Sequence, residues 1–147
     1  MPDKPTSRNK SKFDYASYFR EMRDTHDLTT MPQDRTWTPA VPFEADAEPH
    51  EVVLYLGCNV LRTSHMIKTA TDILDLLGVD YIAVGGPAYC CGILHHRNGD
   101  TELAESISTN AIRYMERYKP KTVAMWCPSC ISYYDDVFEI ETSFKTQ

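Results

Sequence analysis

The sequence predicts an α/β fold built on a Rossmann-like parallel sheet, with its elements in the order β-α-β-α-β-α and its cysteines at the carboxyl ends of the strands. Two observations predict it. Three short apolar runs, Val52–Leu56, Tyr81–Val84 and Thr122–Trp126, are separated by segments with helical periodicity. Strands spaced this way pair in parallel through helical crossovers. The first run ends in Gly57, the second breaks into Gly85-Gly86-Pro87, and the third leads into Cys127.

The elements follow in order. Residues 1–12 are charged and proline-punctuated, and disorder is expected there. From Phe13 to about His26, the residues Tyr15, Tyr18, Phe19 and Met22 recur at roughly helical spacing, which predicts a short amphipathic helix. Residues 28–50 carry Pro32, Pro39, Pro42 and Pro49 and read as an extended arm. Trp37 and Phe43 on that arm are expected to dock on the chain's own body. Residues 1–50 therefore read as an N-terminal arm with a short helix and a proline-rich linker, and 51–147 as a cysteine-rich domain.

Within that domain, Val52–Leu56 is a continuous apolar run that suits a buried strand. Met66, Ile67, Ala70, Ile73, Leu74 and Leu77 then mark one face of a helix, with Thr63 or Ser64 placed to cap its start and Gly78 its end. Tyr81–Val84 is the second strand. A second helix begins near Asp100-Thr101, with Leu103, Ala104, Ile107, Ala111, Ile112 and Met115 as its apolar face and Pro120 beyond its end. After the third strand, Pro128 fits the first turn of a third helix with Cys127 near its N-cap. Ile131, Tyr134, Val137 and Phe138 are expected on the buried side of that helix, and 139–147 is expected to fray.

The 147 residues suffice for one domain that buries roughly 68–70% of its unfolded surface. Apolar content is 42% and charged content 24%, an ordinary globular composition. A net charge of −6 supplies no basic field for nucleic acid. No apolar run approaches the length of a membrane span. The polar N-terminus has no apolar stretch of the secretory kind, so a cytoplasmic location is expected, where thiols stay reduced.

That compartment gives meaning to the cysteines. There are five: Cys58, the adjacent pair Cys90-Cys91, and Cys127 with Cys130 in the run Cys-Pro-Ser-Cys. All lie within the cysteine-rich domain and none outside it. In a parallel sheet, ligands collect outside the carboxyl ends of the strands. Cys58, Cys90-Cys91 and Cys127 each follow one strand, so the fold brings all five sulfurs to one edge.

Three chemistries use such a set. Iron–sulfur clusters are held by cysteine thiolates, and Gly57, Gly92 and Gly85-Gly86 let backbone N–H groups approach a cluster. Zinc uses four cysteines in a closed site and leaves one spare. Adjacent Cys90 and Cys91 ligate one small ion poorly, whereas a multi-iron cluster can use both. A dithiol pair is the third reading, since Trp126-Cys127-Pro128-Ser129-Cys130 resembles the thioredoxin motif. The stretch after Cys130 is, however, too short for the rest of a thioredoxin sheet. A Cys90–Cys91 disulfide is also poor, because neighbouring Cα atoms stand about 3.8 Å apart against a usual span of about 4.4–6.8 Å. Buried inert cysteines are the remaining alternative. No catalytic residue is assigned from the sequence.

Gly57-Cys58, Cys90-Cys91-Gly92 and Cys127-Pro128-Ser129-Cys130, over roughly Glu51 to Phe138, resemble the cysteine-rich CCG domain of heterodisulfide reductase. The same module occurs in the iron–sulfur subunits of glycolate oxidase, anaerobic glycerol-3-phosphate dehydrogenase and lactate-utilisation complexes. The resemblance implies a noncubane 4Fe–4S cluster held by Cys58, Cys90, Cys91, Cys127 and Cys130, one of them bridging irons. It implies electron transfer coupled to disulfide cleavage, as a module of an oxidoreductase complex. The implied partners are other subunits, including an electron-donating iron–sulfur or flavin subunit, and a second cysteine-rich half. Full-length relatives carry two copies of the domain and this chain carries one, with Tyr55–Asn59 closer to the first copy. Some relatives bind zinc in one copy, which keeps a zinc- or cluster-binding structural or assembly subunit as the alternative. No ferredoxin-like C-x-x-C-x-x-C precedes the domain, and the segment 1–50 matches nothing in the family.

Further positions lie near the same edge. His95 and His96 can protonate a thiolate, although a solvated loop is the simpler reading. Arg62 and Arg97 can hold an anion or balance cluster charge. Asn59 is expected to cap the turn that follows it.

Overall fold

The computed structural model describes residues 12–35, 37, 46–137 and 142–147. The expectations for residues 1–11, Pro39, Pro42, Phe43, Phe138 and 139–141 lie outside these.

A four-stranded parallel sheet in the order β2-β1-β3-β4 forms the centre. Its strands are β1 (Val52–Gly57), β2 (Tyr81–Gly85), β3 (Thr122–Met125) and β4 (Lys145–Thr146). β1 is central and pairs in parallel with β2 (Tyr55 opposite Val84) and with β3 (Tyr55 opposite Met125). Side chains alternate across a strand. Val53 and Tyr55 accordingly join one buried cluster with Ile112, Met115, Val123 and Tyr133, while Leu54 and Leu56 join another with Met22, Val60, Leu61 and Ile67. The result is helices on both faces of the sheet. No helix among the described residues is long and apolar enough to cross a membrane.

The helices are α1 (Tyr15–Thr29), α2 (Val60–Leu76), α3 (Ile93–Arg97), α4 (Thr101–Glu116) and α5 (Pro128–Asp136). α1 appears where aromatic spacing predicts it, and the Asp14 side chain caps it by accepting from the Ser17 N–H at 3.0 Å. It ends beyond the expected boundary, followed by a tight turn over Pro32–Asp34 rather than a fully extended arm. Trp37 docks on the body as expected, its ring 5.3 Å from that of His26. α3 is an additional helix in the segment between the second strand and α4.

α2 corrects the sequence reading. It starts at Val60, ahead of the proposed caps, and Thr63 sits inside it with non-helical torsions. Its buried stripe is Val60, Ser64, Ile67 and Thr71, while Met66, Ile73 and Leu77 of the expected face are exposed. Two stripes at helical spacing compete on this helix, and the one that faces the sheet contains two hydroxyls. Both are satisfied there: the Thr71 hydroxyl donates to the Ile67 carbonyl at 3.1 Å, and Ser64 accepts from Thr30. Hydrophobicity alone points to the wrong stripe.

α4 keeps most of its expected face, except that Leu103 is exposed and Ser108 is buried. α5 buries Cys130 and Tyr133, whereas Ile131 and Tyr134 are half-buried and Val137 is exposed. The expected fraying of the tail is also corrected. Lys145–Thr146 adds a parallel strand beside β3, and Phe144 is buried against the core. So short a segment carries too little pattern to announce a strand; the long-range pairing makes it.

Phe144 is 7% exposed and anchors that strand. Phe144→Ala is expected to cost about 3 kcal/mol through lost burial and a residual cavity. Urea unfolding of the two proteins measures this; a loss below about 1 kcal/mol shows that the tail is not part of the core.

Candidate metal centre

Each thiol is delivered by a strand end. β1 terminates at Gly57, directly before Cys58. After β2, a tight turn over Pro87–Tyr89 sets Cys90 and Cys91 ahead of α3. After β3, Cys127 occupies the N-cap position of α5 and Cys130 lies in its first turn. The structure therefore brings all five predicted positions together. Cys58 Sγ and Cys90 Sγ are 3.9 Å apart. Cys90 is electrostatically coupled to Cys91, Cys91 to Cys130, and Cys130 to Cys127, so the five thiols are mutual neighbours in one cluster. Among the described residues, no three His, Cys, Asp or Glu converge on the position of a single ion.

Two glycines make the close approach possible. Gly57 has φ +63°, and a Cβ there would stand 3.1 Å from Cys130 Sγ. Gly92 has φ +88°, and a Cβ there would stand 2.6 Å from the Ala104 carbonyl oxygen and 3.0 Å from Ser108 Oγ. Both torsions are left-handed, which glycine adopts without strain. The Gly92 N–H points at Cys90 Sγ, 3.5 Å away. Ser108, fully buried, donates to the Cys91 carbonyl at 2.6 Å and pins the turn from α4.

The thiol set is electrostatically uneven. Hydrogen bonds from the Cys58 and Cys91 thiols, then from the Gly92 N–H, pull the Cys90 thiol well below its ordinary range. Cys127 is lowered to about 6 by the Cys130 thiol and by the N–H groups of Cys130 and Ser129 at the start of α5. Cys58 is pushed up, first by Cys90 and then by burial; Cys130 is pushed up by Cys127 and Cys91. For Cys91, the Cys130 hydrogen bond acts downward, but Cys90 and burial outweigh it and the net shift is upward. Five thiols this close cannot all ionise without a cation among them. Buried thiols, backbone N–H groups and two glycine-lined approaches fit a group held by thiolates.

A family model for the CCG cysteine-rich domain matches residues 52–133, more than half of the chain. The chain belongs to the CCG cysteine-rich domain family. The matched segment begins directly after Glu51, at the start of β1, and ends in α5, so it carries every cysteine. Over 86 residues, 56% of this chain, the sequence is 27% identical to the EtfAB:quinone oxidoreductase of Syntrophomonas wolfei subsp. wolfei. The chain spans only 12% of the length of that relative. No solved structure matches the chain significantly.

The other candidates fall differently. His95 is not in a solvated loop: it lies in α3, 5% exposed, with its ring stacked on Tyr15 of α1 at 4.1 Å. Its Nδ1 has no hydrogen-bond partner among the described residues. His96 is half-buried against the Tyr133 ring. The Arg62 guanidinium lies over the Tyr18 ring at 5.3 Å, and Arg97 is exposed. Asn59 holds the N-cap position of α2 but makes no side-chain cap; its carbonyl accepts from the Thr63 hydroxyl instead. The sequence reading missed Ser108, which has no local signature. It also missed that Tyr15 and Phe19 lie against His95, although an aromatic cluster in an otherwise polar arm was its visible trace.

Gly92→Ala isolates the close approach. Gly78 also has a left-handed torsion, φ +66°, but an added Cβ meets nothing within 4 Å. Gly92→Ala is expected to destabilise the chain by about 2 kcal/mol more than Gly78→Ala, because overpacking adds to the shared backbone strain. Equal losses in denaturant unfolding contradict a packed thiol turn.

Proposed function

We propose that this chain is an iron–sulfur electron-transfer module of a larger oxidoreductase, with Cys58, Cys90, Cys91, Cys127 and Cys130 as its ligands. The observation that carries the reading is the convergence of five thiols at the carboxyl edge of one parallel sheet. Five thiols that include an adjacent pair suit a multi-iron group better than one tetrahedral ion. Bound there, an iron–sulfur cluster supplies a store for single electrons in a buried position.

The protein's own contribution is then definite. Gly92 and the first turn of α5 direct N–H groups at sulfur, which stabilises thiolates. Four of the five thiols are buried, which keeps water from them. The family relation and the similarity to an oxidoreductase support a redox role. The heterodisulfide reductase resemblance adds a noncubane 4Fe–4S cluster and disulfide cleavage as the use of those electrons. It also adds partners: an electron-donating subunit and a second cysteine-rich half. The short span relative to the matched oxidoreductase agrees with a module that works among other domains or subunits.

The test is a reductive titration of the anaerobically reconstituted protein followed by EPR. A reversible change on reduction and reoxidation is expected. Cys91→Ser is expected to abolish the signal as fully as Cys127→Ser, since both sulfurs belong to one site. A spectrum unmoved by reductant overturns the redox reading; an unaltered signal in Cys91→Ser overturns the five-ligand set.

A further inference from the structure

His95 Nδ1 is buried and has no hydrogen-bond partner among the described residues. The residue is 5% exposed and lies in α3, the short helix that follows Cys90, Cys91 and Gly92 directly. Buried polar atoms are ordinarily satisfied, and an orphan next to a set of ligands calls for an acceptor that the chain itself lacks.

The local backbone sets the direction of the side chain. Helical side chains lean toward the N-terminus of their helix. The imidazole of His95 therefore leans back toward the turn that carries Cys90 and Cys91. That turn already directs backbone N–H groups at sulfur. The Gly92 N–H points at Cys90 Sγ, 3.5 Å away, and the Ile93 N–H serves Cys91. His95 and Cys90 also act on each other through charge: Cys90 favours a proton on the imidazole, and His95 favours thiolate at Cys90. Burial is the larger effect on His95 and holds its imidazole neutral. A neutral imidazole with its hydrogen on Nδ1 is a donor.

The ring is also clamped. Tyr15 stacks on it at 4.1 Å with the two planes 17° apart, and Phe19 lies 6.5 Å from it. The Tyr15 hydroxyl donates to Asp100 at 2.5 Å, and the Asp100 N–H donates to the His95 carbonyl at 2.9 Å. Asp100 thus ties down both members of the stack.

Resting on the iron–sulfur reading, we infer that His95 is an outer hydrogen-bond donor to the group held by Cys90 and Cys91: its orphaned Nδ1–H is directed at that group and makes it easier to reduce. Hydrogen bonds to the sulfurs are among the features that set the potential of such a group. A donor stabilises the more negative, reduced state more than the oxidised one. Tyr15 and Phe19 take part by holding the imidazole, not by touching the sulfurs.

The test compares reduction potentials of the full chain, reconstituted anaerobically and titrated under EPR, with iron content matched between samples. His95→Phe keeps a ring against Tyr15 and removes the donor. Its potential is expected to fall by about 59 mV, a tenfold shift of the one-electron equilibrium toward the oxidised form. His95→Asn loses the ring but keeps a short amide donor, and is expected to recover most of that shift. A role in packing alone predicts the reverse order, with His95→Phe unchanged and His95→Asn perturbed. A second measurement needs no variant: pulsed EPR of the reduced, unaltered chain labelled with 15N-histidine is expected to show a coupling to a histidine nitrogen. An unchanged potential in His95→Phe overturns the inference, and so does a reduced centre with no histidine coupling. Either result leaves the iron–sulfur reading standing. A spectrum that reductant does not move overturns both.

Discussion

β1 lies between β2 and β3, parallel to both, and the thiol site is a consequence of that register. Tyr55 stands opposite Val84 on one side and Met125 on the other. Three carboxyl ends then finish side by side, although their cysteines are far apart in sequence. The backbone closes the arrangement just beyond the strands. The Gly86 N–H donates to the Gly57 carbonyl at 2.9 Å, and the Trp126 N–H donates to the Tyr55 carbonyl at 2.9 Å. A slip of one residue in either pairing would turn the side chains to the opposite face and displace the sulfurs at the strand ends.

Gathering five thiols has an electrostatic cost that the protein alone does not remove. It lowers Cys90 and Cys127 with N–H groups and neighbouring thiols, and the remaining three are driven the other way. Such a set holds part of its charge as thiolate and part as thiol until a cationic group compensates it. The packing around it is correspondingly tight: Gly92 leaves no space for a methyl group beneath the Ala104 carbonyl, and Gly57 brings the end of β1 against Cys130. These close approaches fix the backbone that carries the sulfurs.

Much of this was legible in the sequence because parallel α/β folds are patterned simply. Three apolar runs and two glycine-rich breaks define the sheet, and the cysteines fall at its carboxyl edge by their place after each run. What was not legible depends on long-range contacts. The buried stripe of α2 includes Ser64 and Thr71: Ser64 meets Thr30 from far earlier in the chain, and Thr71 satisfies its hydroxyl within its own helix, while Met66 and Ile73 stay exposed. β4 is very short and exists because β3 offers it an edge. His95 looks like a loop residue in sequence; α1, far earlier in the chain, buries it. The aromatic residues of α1 were visible as a helix, but their place against His95 was not.

The proposed function turns on whether the five thiols hold one multi-iron centre. Anaerobic purification of the intact chain, followed by iron, acid-labile sulfide and zinc determination on the same sample, tests it most directly. The predicted result is about four iron per chain with a comparable amount of sulfide and no zinc. About one zinc per chain with no sulfide would contradict it.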